Sequence, residues 1–485
     1  MGRKKRKRPR QDRDNGPSGD DDVGSPHVLS GSSRDRPSSS DTWDARPETP
    51  PTSSWFSGGV NWISRRWIGE EESSGNGKKP SAKLPTTTTT TTTSQNSVLL
   101  TELNEIKNDL MPAAQRASSE REAHYEFRRA RSICNPFECL GHTYDSKKHA
   151  KSSPKRRRSG LSQFVNRSAI KLANIDALLG FTLTSACCPR HGDAVSPFVF
   201  VDLCGAPGGF SEYILFRLKH PVGLEEAPES CLGFGMSLSG SNEDGKGVAW
   251  NLEHLREYHL DKSQGCCQYK FQNTSGEDGT GSIYNMRNTL SLQKLISTAL
   301  REKASSDGLA RLVVADGGFD AQRDSNCQES LAHKIVVCQA AAALSLLEVG
   351  GVFVLKMFGF RETRTRRMLS HLYECFEKMA FVKPVLSRPA SAERYLVCYG
   401  YEGAGAGFEG SKWRDQMLAM TDGASYRKHA PLEALMDSFD EDMLRLNIDM
   451  CKSIIEYLEA KGRGEELPPR SNLDTRLYES AWKLA

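Results

Sequence analysis

Phe198-Val199-Phe200-Val201-Asp202-Leu203-Cys204-Gly205-Ala206-Pro207-Gly208-Gly209-Phe210 is the stretch that decides the fold. An apolar, β-branched and aromatic run ends in an acid and breaks into a Gly/Pro-rich turn; residues 211–218 then read as a helix. Strand, glycine turn and helix in that order build a ligand crevice at the carboxyl ends of an open α/β sheet. Three glycines within five residues let the backbone approach a ligand where a Cβ would intrude. The turn is not Gly-x-Gly-x-x-Gly and lacks the Lys-Ser/Thr of a phosphate-cradling loop, so dinucleotide and nucleoside triphosphate readings are set aside.

Further short apolar runs follow in order. Leu232-Gly233-Phe234-Gly235-Met236 reads as the second strand and Leu312-Val313-Val314-Ala315-Asp316 as the fourth. Gly351-Val352-Phe353-Val354-Leu355-Lys356 reads as the fifth, with Tyr395-Leu396-Val397-Cys398 near the end. A helix is predicted over 330–347, with Leu331, Ile335, Val336, Cys338 and Ala342 facing inward. Continuous apolar runs alternating with helices imply a sheet covered on both faces. The predicted fold class is α/β, a Rossmann-like, doubly wound, mostly parallel sheet over residues 160–402.

The flanks have other compositions. At 485 residues the chain has room for two or three ordinary domains. Residues 1–95 are rich in Ser, Pro, Gly, Asp and Arg, with a run of threonines over 86–93, and are predicted to be a disordered arm. The arm opens on Arg3-Lys4-Lys5-Arg6-Lys7-Arg8-Pro9-Arg10, a cluster of the nuclear-import kind, and Lys155-Arg156-Arg157-Arg158 precedes the core. With these two clusters the expected location is the nucleus. Trp55, Phe56, Trp62 and Trp67 form an aromatic patch without an assigned mechanism. Residues 96–159 read as a helical lead-in, and 403–485 as a charged helical extension. That extension carries an apolar stripe of Leu432, Leu435, Met436, Met443, Leu444, Leu446, Ile448, Ile454 and Leu458. No apolar run reaches the roughly 18 residues of a membrane span, so no membrane association is expected. Thirteen cysteines include the adjacent pairs Cys187-Cys188 and Cys266-Cys267 but no paired Cys-x-x-Cys knuckles; no structural zinc is expected.

Residues 202–212 closely resemble the S-adenosylmethionine loop of the FtsJ-like 2′-O-ribose methyltransferases, and within them the eukaryotic mRNA cap-1 branch. Asn166-Arg167-Ser168-Ala169-Ile170-Lys171-Leu172-Ala173-Asn174-Ile175-Asp176 is similar to that family's Asn-Arg-x-Ala-x-Lys-x-Ala-Asn-x-Asp helix. Asn135-Pro136-Phe137-Glu138 resembles the segment that precedes its catalytic domain. The resemblance implies methylation of the first transcribed nucleotide of 7-methylguanosine-capped RNA, with S-adenosyl-L-methionine as cofactor. Ribosomal or transfer RNA 2′-O-methylation, and cap-2 methylation, are the alternatives. The transcription machinery is a further partner the resemblance brings into range.

The same resemblance assigns candidate residues. Lys171, Asp316, Lys356 and Glu393 match the family's Lys-Asp-Lys-Glu tetrad, in order. Independently, Asp316 and Lys356 close apolar strands, which places them at the crevice. Burial and Lys171 would lower the pKa of Lys356, and Asp316 and Glu393 would raise it. The cofactor is expected against Asp202, Cys204, Gly205, Ala206, Pro207, Gly208, Gly209 and Phe210, with Asp316 near the sulfonium. Asp202 either contacts the cofactor or orders the turn. Gly233 and Met236 are expected near its ribose or adenine. Ser282 stands where the family places an adenine-binding acid, and Asp278 is the expected substitute. For the substrate, Asn326 matches a family asparagine, Ser391 replaces another, and Arg167 is a third candidate. Arg361, Arg364, Arg366 and Arg367 form a basic patch suited either to phosphates or to a solvated helix face.

Overall fold

The structure is a computed structural model that describes residues 63–64, 89–119, 122–141, 160–185, 197–223, 228, 230–239, 247–259, 268–301, 309–318, 327–420, 424–465 and 473–484. Both basic clusters, the four aromatic residues of the arm, both adjacent cysteine pairs and Asn326 lie outside them. The strands are β1 (Ile63–Ser64), β2 (Phe198–Leu203), β3 (Ser230–Met236), β4 (Gln268–Thr274), β5 (Ala310–Ala315), β6 (Leu347–Met357), β7 (Phe376–Val382) and β8 (Arg394–Tyr401). They form one sheet in the order β1-β7-β8-β6-β5-β2-β3-β4. The pairs from β4 through β6 are parallel, while β8 runs antiparallel to both β6 and β7. From β2 the chain winds outward through β3 and β4, then returns to lay β5 on the other side of β2. The carboxyl ends of β2 and β5 therefore flank the switch point where such sheets bind ligands.

Two-residue periodicity splits the sheet between two cores. Val199, Val201, Leu203, Val313, Ala315, Phe353 and Leu355 point to one side. There they meet α6 (Gln328–Leu346) and α7 (Thr363–Cys375). Phe198, Phe200, Leu312, Val314, Val352 and Val354 point to the other, where α3 (Arg167–Leu178) and α4 (Gly209–Lys219) pack. Every residue of β2 is buried, as a central strand covered on both faces requires.

The lead-in forms two helices, α1 (Thr89–Ala117) and α2 (Ala123–Ile133), and α1 starts inside the threonine run. Both pack on the long α9 (Ala430–Gly462), which bridges two cores. Leu432, Met436 and Met443 join the sheet core; Leu444, Ile448, Ile454 and Leu458 meet Leu99, Leu103, Leu110 and Ala114 of α1. The predicted stripe is therefore packing, shared between sheet and lead-in. The helix predicted over 330–347 starts at Gln328, and Leu331 is 53% exposed rather than inward. Strands β4 and β7 and the helices α5 (Met286–Arg301) and α7 were absent from the sequence reading. Gln-Tyr-Lys-Phe-Gln-Asn-Thr of β4 is an edge strand with only two buried side chains, so it carries little apolar signal.

Candidate active site

The glycine turn is held from below and from the side. Cys204 and Gly208 adopt left-handed backbone, and Ala206–Pro207 is cis. Asp202 folds back under the turn: its Oδ2 accepts from the Ser211 amide (3.1 Å) and hydroxyl (2.7 Å), and a Cβ on Gly205 would stand 1.9 Å from its Oδ1. Asp202 thus orders the turn. Burial pushes its carboxyl up to about 7, Ser211 opposing and Asp316 adding to the rise. A Cβ on Gly209 would meet the Asn166 side chain at 2.1 Å. That asparagine caps α3, accepting from the amides of Ser168 (3.0 Å) and Ala169 (3.3 Å). The capping asparagine therefore locks the helix carrying Lys171 against the turn.

The four charged residues form two ion pairs. Lys171 Nζ lies 2.7 Å from Glu393 Oε1, and Lys356 Nζ lies 3.0 Å from Asp316 Oδ1. Lys356 also donates to the Asp316 carbonyl at 2.6 Å. Tyr395 bridges the pairs, its hydroxyl 3.0 Å from Asp316 Oδ1 and 3.4 Å from Glu393 Oε1. Ser168 donates to Asp316 Oδ2 at 2.8 Å. The four charged side chains remain 11–15% exposed, so they line a floor open to a ligand. Burial alone would push the Lys356 ammonium down, but Asp316 and Glu393 outweigh it and hold it above its ordinary value. Burial would raise Glu393, but Lys171 and Lys356 hold it at about 2. The contest over Lys356 that sequence left open goes to the carboxylates.

Residues 164–401 match the model of the FtsJ-like methyltransferases. They form an FtsJ-like methyltransferase domain. The chain is 33% identical over 276 residues to the cap-specific mRNA (nucleoside-2′-O-)-methyltransferase 1 of Drosophila melanogaster, a match covering 56% of this chain and 29% of that protein. It is 29% identical over 349 residues to the Xenopus laevis protein of the same name, covering 69% and 35%. It is 30% identical over 284 residues to the human one, covering 57% and 28%. The chain thus spans about a third of the length of the curated relatives it matches.

A methyltransferase domain implies a cofactor of the S-adenosylmethionine type, and the turn suits one. Cys204, Gly205, Ala206 and Pro207 keep accessible surface, whereas Gly208, Gly209 and Phe210 are buried. Phe210 packs toward Tyr395, with ring centroids 6.2 Å apart. Asp316, whose amide donates to the Leu203 carbonyl at 3.3 Å, puts a carboxylate beside the turn, the right charge for a sulfonium. Burial, with Asp202 adding, pushes the Cys204 thiol up to about 12 and keeps it neutral.

The more distal cofactor candidates sit differently. Met236 is fully buried in the core, and the space above Gly233 is taken by Phe200 and Phe271, whose rings a Cβ would strike at 2.3 and 2.8 Å. Trp250, missed in sequence, covers Gly235 in the same way at 2.6 Å and lies 3.3 Å from a Cβ on Gly208. Asp278 is exposed, and its carboxylate accepts from the Thr280 amide and hydroxyl, Asn285 and Asn288. Those four donors leave it little capacity for an adenine amine. The Ser282 amide donates to Thr280 Oγ1 and its carbonyl accepts from Asn288, inside the same loop.

Among the substrate candidates, Arg167 donates to Glu138 Oε1 (2.6 Å) and the Leu386 carbonyl (2.9 Å). Arg388 grips the same glutamate from the other side, so Asn135-Pro136-Phe137-Glu138 is docked on the methyltransferase domain through an acid between two arginines. Burial would raise Glu138, but the hydrogen bond from Arg388 and the charges of Arg167 and Arg388 bring it to about 2. Ser391 Oγ accepts from the Glu393 amide at 3.2 Å.

Lys383 is the residue the sequence reading missed most plainly. It is fully buried, and its ammonium reaches Ser387 Oγ and the carbonyls of Arg388, Ser391 and Glu393 at 2.7–3.1 Å. It staples the loop that presents Glu393, and burial pushes its pKa well down, against the pull of Glu393. The available signal was a lone lysine inside Ala380-Phe381-Val382-Lys383-Pro384-Val385-Leu386.

The arginines past β6 are largely committed to protein partners. Arg366 pairs with Glu433 (2.7 Å) and Asp437 of α9, Arg361 with Asp440 (2.7 Å), and Arg364 with Glu362 (2.6 Å). Arg361 and Arg366 of this patch seat the C-terminal helix.

Proposed function

We propose that this chain transfers a methyl group from S-adenosyl-L-methionine to the ribose 2′-hydroxyl of the first transcribed nucleotide of 7-methylguanosine-capped RNA. The observation that carries the reading is the pair of interlocked ion pairs, Lys171–Glu393 and Lys356–Asp316, beside the glycine turn. The names of the relatives, cap-specific mRNA (nucleoside-2′-O-)-methyltransferases, support the cap as substrate. The basic cluster 3–10 supports a nuclear location, and the transcription machinery is a proposed partner of the arm.

Gly205, Ala206 and Pro207 would hold the cofactor, with Asp316 offering charge to its sulfonium, and when bound it would supply an electrophilic methyl. Lys356 is an ammonium at rest, so its first act is to donate a hydrogen bond to the 2′-oxygen. That fixes the oxygen for in-line attack and stabilises negative charge as the O–H bond weakens. Asp316 is what holds the Lys356 proton, so any cationic ligand that drew on this carboxylate would lower the proton affinity of Lys356. Once Lys356 has released its ammonium proton to solvent, the neutral amine would take the 2′-hydroxyl proton as general base while the new O–C bond forms and the S–C bond breaks. Lys171 holds Glu393, and Tyr395 keeps both carboxylates in register.

The deciding experiment supplies labelled S-adenosyl-L-methionine with matched RNAs bearing a 7-methylguanosine cap or a 5′-triphosphate. Label on the first nucleotide of the capped RNA alone is the expected result. Internal or equal labelling assigns the domain to structural RNA. Lys356→Ala should lose turnover while calorimetry shows cofactor binding retained; turnover in that variant removes Lys356 from the mechanism.

A further inference from the structure

Residues 250–255 back the glycine turn. The Asn251 amide donates to the Pro207 carbonyl at 3.0 Å. Leu255 and Trp250 close on Gly208, 3.0 and 3.3 Å from where its Cβ would stand, and Trp250 lies 2.6 Å from a Cβ on Gly235. Asn251 also caps the short helix Leu252–Arg256, its side chain accepting from the His254 amide at 3.3 Å. Pro207 and Gly208 belong to the turn that would carry the cofactor, so whatever fixes this segment fixes the shape of the turn.

A single buried acid fixes it. Glu212 lies on α4 with its side chain fully buried. Its Oε1 pairs with His254 Nε2 and accepts from the Tyr258 hydroxyl at 3.4 Å. Its Oε2 accepts from the Val165 amide at 2.8 Å. On the other side of the imidazole, Glu257 lies 3.5 Å from His254 Nδ1. Val165 precedes Asn166, which caps α3 and stands behind Gly209. One carboxylate therefore joins the segment behind Pro207 and Gly208 to the start of the helix that carries Lys171. Stability alone does not ask for charge here, because a buried pair gains little over apolar side chains of the same volume. What the pair adds is direction: a hydrogen bond holds its partner at one distance and angle, which an apolar contact does not.

We infer that His254 is a positioning residue for the cofactor. Through its bond to Glu212 it holds residues 250–255 against Pro207 and Gly208, and so keeps the turn in the shape that Gly205, Ala206 and Pro207 present to S-adenosyl-L-methionine. The inference rests on the cofactor reading and is independent of which RNA accepts the methyl.

Calorimetry on the full chain, with S-adenosyl-L-methionine and S-adenosyl-L-homocysteine as probes, tests it. His254→Leu takes the imidazole away from Glu212, and His254→Asn is polar but too short to reach it. Both should weaken either probe about tenfold, the value of one hydrogen bond to a charged group. His254→Gln, which sets an N–H close to the place of Nε2, should restore affinity to within about twofold. Should His254→Leu fail to fold, the difference between the Asn and Gln variants carries the test. In the ligand-free chain, His254→Asn should also speed hydrogen exchange at the Asn251 amide about tenfold while β2 keeps its protection. Equal affinity in the Asn and Gln variants, or unaltered exchange at Asn251, overturns the inference alone. A wild-type chain that binds neither probe overturns the cofactor reading, and the inference falls with it.

Discussion

Asp440 is the charge whose removal the structure makes most costly. It sits on α9 with its side chain 3% exposed, and Arg394, 1% exposed, donates to its Oδ1 at 3.1 Å. Arg361 holds Oδ2 at 2.7 Å. Arg394 also lies over the ring of Phe360 at 4.7 Å, so its guanidinium has no route to water. Asp440→Ala leaves that cation buried without its counter-charge. Breaking a buried pair on one side costs about 3–5 kcal/mol, and the 36% exposure of Arg361 lets only that second arginine escape to solvent. The expected loss is therefore about 3–5 kcal/mol for the transition that includes the sheet core, read by urea unfolding near pH 7.

The consequence reaches catalysis, because Arg394 follows Glu393 and its Nε donates to the Ala392 carbonyl at 3.2 Å. Freed, the arginine drags on the segment that presents the tetrad glutamate, so kcat should fall more than cofactor affinity. The control is Arg394→Met with Asp440→Leu, which removes both buried charges and should regain most of the stability. Asp440 titrates below the ordinary aspartate range: burial opposes this, and Arg394 and Arg361 cause it. Its contribution is then fully present above the unfolded aspartate value and lost as pH falls through the depressed folded one. A cost under about 1 kcal/mol for Asp440→Ala, the value of an exposed pair, would show that water screens it and refute the reasoning.

Three shorter expectations follow from the same geometry. Gly205→Ala sets a Cβ 1.9 Å from Asp202 Oδ1, and should cost about 1–3 kcal/mol by thermal unfolding as well as cofactor affinity by calorimetry. Lys383→Met strips the staple from the Glu393 loop and should lower kcat by as much as about a hundredfold with little change in cofactor binding; unaltered kcat would detach that loop from catalysis. Glu138, held at about 2, gives stability that is complete above its ordinary 4.5 and disappears as pH falls between the two. Glu138→Gln should flatten acid unfolding in that window, by up to about 3 kcal/mol, and an unchanged acid limb would deny the two-arginine clamp its role.

The central strands and the glycine turn were legible because their signals are local. A buried parallel strand is a run of apolar residues, and β2, β3, β5 and β6 all show one. The edge strand β4 is half polar, and Phe-Glu-Lys-Met-Ala-Phe-Val of β7 mixes charge into its run, so neither stands out. In the site, Asp316 and Lys356 announced themselves by closing strands. Tyr395 and Ser168 did not: each acts through a hydrogen bond to Asp316 from far along the chain. Lys383 and the Arg366–Glu433 pair are likewise long-range, and a basic run reads the same whether it meets RNA or an acidic helix.

That ambiguity was resolved by where the acids lie. Glu433, Asp437 and Asp440 fall within two turns of one helix and take up Arg366, Arg361 and Arg394. An apolar stripe alone could bury α9 in several rotations, whereas ion pairs to fixed arginines allow one. The same rotation sets α1 on the helix's far half. The charges that take up Arg361, Arg366 and Arg394 thereby fix which face of α9 meets the sheet core. A single helix orientation thus decides which cations are structural. Reversing charge at Asp437 should release Arg366 and loosen that orientation, so the urea midpoint should fall; an unchanged midpoint would show that the apolar stripe alone sets the helix.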